Sequence, residues 1–224
     1  MPDEGTEKAG RNHRLMSPRA ALSVANGVIG AVLGTAALVF IAKNMGPDVL
    51  GILGYAMATI GILSFFSDFG MGSVHVLHIK SGEDVGKCVG AYAAIRLVLL
   101  AIFAGITLLL IEVWRNGWMG GNTPISNSMV DSMYVFLVYY FLMGICQIAT
   151  HTFDALDKVA AVYVPSILEF VVRVSFIIYV ATSAYGTTEE GPALLASAYA
   201  AGVISATLLA SFFMTKTTIR KPDR

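Results

Sequence analysis

The sequence predicts an all-α fold, a polytopic membrane helix bundle of six transmembrane helices. Three observations predict it. The chain of 224 residues is 56% hydrophobic and only 13% charged, whereas soluble domains average roughly 25% charged residues. Its mean hydropathy is +0.70. Apolar runs of spanning length recur along it between short polar turns, and a bilayer core about 30 Å thick needs around 20 apolar residues in helix.

The first span is Ala20–Ala42, uncharged and ended by Lys43. After the turn AKNMGPD comes Val49–Ser67, and then Val89–Ile111 with Arg96 as its single charge. Met133–Ala149 is the fourth, beginning nearer Met129 with Asp131 at the interface. Val159–Ala184 carries Glu169 and Arg173, and Ala193–Met214 is closed by KTTIRKPDR. The polar stretch 1–19 is too long and too acidic for a signal-peptide n-region, and no small-residue cleavage pattern follows. It reads as a disordered cytoplasmic tail, residues 20–214 as the transmembrane domain, and 215–224 as a basic cytoplasmic tail.

Loop charges orient the bundle. Lys8, Arg11, Arg14 and Arg19 precede the first span, Lys80 and Lys87 follow the second, Lys158 follows the fourth, and Lys216, Arg220, Lys221 and Arg224 follow the sixth. The other side carries Lys43 and Arg115 with Glu189 and Glu190. The positive-inside rule puts both termini in the cytoplasm, in a multi-pass protein of the cytoplasmic membrane. Trp114 and Trp118 sit in the outer loop, where amphipathic rings favour the interface. GAVLG (30–34) and GKCVG (86–90) have the small-xxx-small spacing that lets helices pack closely.

Several function classes are excluded. Net charge is zero and no basic stripe exists to carry a phosphate backbone, so no nucleic acid is expected. Cys88 and Cys146 form no CxxC pattern, which argues against a zinc site or disulfide framework. His75 and His78 lack a third ligand nearby and read as interfacial side chains. With no HExxH, GxSxG or P-loop, neither an enzyme nor a cofactor is expected.

Asp68 interrupts the apolar stretch FFSDFGMGSVHVLHI. Counted from Val49 it lies about 28 Å along the second span, close to the cytoplasmic face. Gly70 and Gly72 follow and weaken the helix, and SVHVLHIK suits a short interfacial helix ending at Lys80. Asp68 therefore belongs to a break at the membrane boundary.

MGPDVLGILGYAMATIGILSFFSDFGMGSV, residues 45–74, resembles the first two spans of polysaccharide-export flippases. There a short outer LGPxxYG-like turn leads into a helix ending in a D-[LF]-G-[LM]-G-like break. Leu50 stands here where the aromatic is usual, and the break reads Asp68-Phe69-Gly70-Met71-Gly72. FDALDKVAAVYVPSILEFVVRV (153–174) and AYGTTEEGPALLASAYA (184–200) are similar to later segments of that family. The resemblance implies the multidrug/oligosaccharidyl-lipid/polysaccharide exporter superfamily, and the N-terminal lobe alone of a two-lobed, O-antigen-type flippase. It implies alternating-access transport of a lipid-linked anionic glycan, with membrane lipids and a homodimer partner or second-lobe protein as the other partners.

Such a substrate needs cations for its phosphate, which directs attention to ionisable groups inside the spans. Arg96 lies roughly 14 Å deep, and its fork suits phosphate oxygens. It could equally pair with Asp68 or snorkel to the headgroups. Glu169 and Arg173, four residues apart, share a helix face. They either neutralise one another between helices or line a cavity in which Arg173 attracts pyrophosphate and Glu169 tunes it or exchanges a proton. Asp68, with Gly70 and Gly72, is read as structural or ion-coupling. Tyr134, Tyr139 and Tyr140 are packing residues or sugar-stacking rings. The expected substrate-binding set is Arg96, Arg173 and Glu169. The rival functions are a drug/cation antiporter and a non-transporting scaffold of a glycan-assembly complex.

Overall fold

Polar turns and apolar runs resolve into helices in the computed structural model, which describes residues 18–117, 125–183 and 189–219. They are α1 (Pro18–Met45), α2 (Pro47–Phe65), α3 (Met71–Lys80), α4 (Val85–Arg115), α5 (Asn127–Ala155), α6 (Val159–Thr182) and α7 (Gly191–Ile219). All but α3 are long and apolar enough to cross a membrane, six in number among the described residues. The architecture is thus an all-α bundle with six spans plus one short boundary helix, at the position expected for SVHVLHIK.

The helices overrun the apolar runs that announce them. α1 continues past Lys43, α4 starts ahead of Val89, α5 extends beyond 133–149 at both ends, and α7 runs past Met214 to Ile219. Hydropathy marks only the segment that needs hydrocarbon, whereas backbone pairing continues until a cap ends it. The Asp84 side chain accepts the Lys87 N–H at 2.8 Å and starts α4. Ser126 Oγ accepts the Met129 N–H at 3.3 Å and starts α5. Pro47 opens α2 directly after Gly46, whose φ of +91° makes the turn. Pro18 and Arg19, expected in the tail, already belong to α1, while residues 1–17, Trp118 and most of the last outer loop lie outside the described residues.

α5 is the hub, packing against α2, α3, α4, α6 and α7, while α7 also packs on α6 and α2, and α1 lies against α6 and α2. Phe136 and Met133 of α5 are fully buried among Leu53 and Ile60 of α2, Leu100 of α4, Ile177 of α6 and Leu195 of α7. The opposite faces stay apolar and exposed, as at Val39, Ile62, Leu109 and Leu208. Only 11% of the most apolar window of α1 is buried inside the bundle, so its outward surface has to be covered by lipid or protein.

Close helix approach uses glycines other than most of those the spacing singled out. Gly30 lies under the Phe170 ring of α6. Gly34 and Gly90 face open space, and Gly86 meets only its own cap residue Asp84, so GKCVG is not a packing seam among the described residues. The spacing permits close approach, but a facing helix has to use it. Gly144 does so: a Cβ there would lie 2.5 Å from a Leu100 methyl.

Candidate functional site

Two polar assemblies sit in this apolar bundle. The first is built on the break between α2 and α3. After Phe65 the chain turns through residues with positive φ, +43° at Phe69 and +73° at Gly70. Glycine adopts that conformation without penalty, whereas Phe69 is strained by roughly 1–2 kcal/mol. Arg96 reaches over from α4 to hold the turn. Its Nη1 donates to Ser67 O and to Asp68 Oδ1, both at 2.6 Å. Its Nε donates to Gly144 O at 3.5 Å, and its Nη2 donates to Gln147 Oε1 on α5. The Arg96 side chain is 2% exposed, and a guanidinium at that depth is tolerated only with its donors engaged. Of the arrangements open from the sequence, pairing with Asp68 is the one present.

Gly72 completes the break. A Cβ there would come within 2.6 Å of His151 Nε2, so only glycine lets α3 close on α5.

The second assembly is a cleft of about 290 Å³ between α1, α5, α6 and α7. Asn26, Gln147, Thr150, His151, Tyr163, Ser166 and Glu169 supply its polar lining over apolar walls such as Met143 and Val203. Asn26 Oδ1 is buried without a hydrogen-bond partner. Pro165, also on the lining, has no N–H to offer Ala161 and loosens α6 at that turn. Arg173 Nη1 donates to Glu169 Oε1 at 2.9 Å, with side chains 12% and 14% exposed. The Arg173 guanidinium carbon lies 5.0 Å from the centroids of both Phe170 and Tyr199, an arrangement that adds cation–π attraction. Glu169 therefore faces the cleft while its arginine is drawn towards the rings, outside the lining.

The sequence-derived residues thus fall into two groups. Asp68, Gly70, Gly72 and Arg96 belong to the break, and Glu169 and Arg173 to the cleft and its wall. Gln147 belongs to both. Asn26 and Gln147 are uncharged and so escape a reading that rests on ionisable groups, and His151 lies beyond the apolar run 133–149 that marks the fourth span. The signal was nevertheless there: an uncharged amide inside an apolar span also needs a partner.

The other candidates have structural partners. His75, expected at the interface, is instead buried: its ring stacks on Tyr92 at 4.4 Å and bonds Thr152 Oγ1 at 3.0 Å. α3 packs against α5 as well as α4, and so carries the ring inside. Burial, and then the nearby His151, push the His75 pKa below the usual histidine value. His78 stays exposed and bonds Glu83 at 2.7 Å, which holds that carboxyl below its usual range. Tyr139 is a core ring beside Phe136 and Tyr199, Tyr140 bonds Met57 O at 3.4 Å, and Tyr134 bonds Glu112 at 2.7 Å. Among the described residues no cluster of three His, Cys, Asp or Glu forms a metal site.

Residues 20–223 match the family model described as polysaccharide biosynthesis protein. No curated protein and no solved structure matches the chain.

Proposed function

The chain belongs to the family of polysaccharide biosynthesis proteins, non-catalytic membrane transporters, and from that premise we propose that it flips a lipid-linked oligosaccharide or polysaccharide precursor across the cytoplasmic membrane. It does so by alternating access, as one lobe that pairs with a second lobe or a second copy. The observation that carries this reading is the polar cleft in an apolar bundle, lined by Glu169, whose partner Arg173 stands just outside the lining. A glycan needs hydrogen-bonding groups at membrane depth, and its lipid needs none.

The cleft takes its lining from the first turns of α6 and the last turns of α5. That end of the bundle also carries Lys80, 3.7 Å from Asp157, and Lys158. Under the positive-inside rule the cleft opens to the cytoplasm, where such precursors are loaded. Both termini lie on that side. Arg173 is the cation for the phosphate, since its Nη1 is bonded to the cleft-lining Glu169 and the fork can exchange one anionic partner for another. Arg96 stands behind Gln147 and supports the site through the break.

Export in complemented cells tests the reading, with membrane-inserted protein quantified alongside. Arg173→Ala should abolish export at normal protein level, and Arg96→Ala should abolish it with less protein inserted. Full export by Arg173→Ala would remove the phosphate-contact role, and full export by Arg96→Ala the supporting one. One observation favours a second reading: the charge on the cleft lining is the Glu169 carboxylate, which fits a drug/cation antiporter. Under that reading Glu169→Gln abolishes ion-driven cation efflux from vesicles and leaves glycan export intact.

A further inference from the structure

Gln147 touches both polar assemblies. Its Oε1 accepts from Arg96 Nη2, and its side chain lines the cleft. A primary amide carries one oxygen and two N–H donors. With the oxygen committed to the guanidinium, Gln147 offers donors alone to the cleft. The same Arg96 holds Ser67 O and Asp68 Oδ1, which precede the strained Phe69. Cleft, amide, guanidinium and break therefore form one continuous hydrogen-bonded chain.

We propose that Gln147 is the positioning residue that couples the cleft to the α2–α3 break, and that it selects a ligand presenting an acceptor oxygen at that point: a hydroxyl, carbonyl or phosphate oxygen. A ligand offering only a donor there turns the amide over, sets its NH2 against the guanidinium and leaves Arg96 tied to α5 by the 3.5 Å bond to Gly144 O alone. An acceptor keeps the amide in place and the break held. His151 gives a second contact between the two assemblies, since it lines the cleft and packs on Gly72, so the test isolates the amide. The selectivity rests on the cleft being the ligand-facing surface, as proposed above. The coupling itself is measurable with no transported substrate.

Cys146 lines the cleft and reports on it. In a Cys88→Ser background of the purified full chain in detergent, its rate of modification by a water-soluble methanethiosulfonate is measured. Asp68→Asn, a change outside the cleft lining, should alter that rate by about twofold or more, the lower end of coupling between connected side chains. In Gln147→Leu the effect of Asp68→Asn should vanish. In Gln147→Glu, which keeps an oxygen for Arg96, it should persist. A neighbour that only fills space would give the same Asp68→Asn factor in every background. The proposal is overturned if Asp68→Asn leaves the rate unchanged, if the factor survives in Gln147→Leu, or if Gln147→Glu behaves like Gln147→Leu. Should Gln147→Leu not be recovered folded, Gln147→Asn, one carbon too short to span the gap, takes its place under the same criteria. A failed cycle with arginine-dependent export intact overturns this proposal alone, and an intact cycle with arginine-independent export overturns the transport reading alone.

Discussion

Arg96 on α4 and Asp68 in the α2–α3 break stand 2.6 Å apart as an unequal pair, the arginine 2% exposed and the aspartate 38%. The guanidinium carries the burial, and Asp68 is only one of its partners. Arg96→Met should therefore cost about 3 kcal/mol, because it strands buried acceptors at Ser67 and Gln147. Asp68→Asn should cost about 1 kcal/mol or less, as for a partly solvated ion pair. Unfolding in mixed micelles measures both. Equal losses would contradict the asymmetry.

The two glycines of the break should fail for different reasons. Gly70→Ala meets no neighbour but forces a side chain to φ +73°, a strain of roughly 1–2 kcal/mol. Gly72→Ala drives a methyl into the His151 ring, so it alone should be rescued by His151→Ala in the same chain. Thermal midpoints of the four variants separate conformational strain from collision. Rescue of Gly70→Ala by His151→Ala would rule out this division.

Glu169 and Arg173 should behave as a unit. Either single change to Gln leaves a charge largely buried between α6 and α7, whereas the double change removes both charges. The double variant should be more stable than the sum of the singles predicts, by about 0.5–3 kcal/mol. Additive losses would show that the pair is not coupled. Gly202→Ala should weaken the same contact, since its Cβ would lie 3.0 Å from Glu169 O.

Acid should loosen α3. His75 is buried between Tyr92, Thr152 and His151, with His78 on its own helix, and its folded pKa lies below the unfolded value. The unfolded chain then binds more protons, so stability rises with pH across that window. His75 makes its full contribution above about pH 6.5, and this is lost as pH falls through the lowered folded value. Hydrogen-exchange protection of residues 71–80, taken relative to the intrinsic rate at each pH, should fall between pH 7 and 5 in the natural chain. In His75→Gln that protection should be lower at pH 7 and respond less to acid. An unchanged pH response in that variant would assign the effect to another group.

The spans were legible because one physical demand writes them. Every backbone group in hydrocarbon needs an internal partner, so runs such as Ala20–Ala42 and Val89–Ile111 have few alternatives to helix. The break was legible for a similar reason: Asp68, Gly70 and Gly72 conflict with the apolar run around them. His75 was misread because an alternation of apolar and polar letters does not say which neighbour covers a helix. The cleft was invisible because Asn26, Gln147 and Glu169 lie on three helices far apart in the chain.

By itself the sequence determined the number of spans, the boundary break, and the charged groups that had to find partners inside a low-dielectric bundle. Only the tertiary structure decided who those partners are. It sent Arg96 to Ser67, Asp68 and Gln147, and it turned Arg173 towards Phe170 and Tyr199 while Glu169 faced the cleft. Hydropathy is a one-body property that can be read along a chain. Pairing depends on which helix faces give up lipid for one another, and packing around α5 settles that.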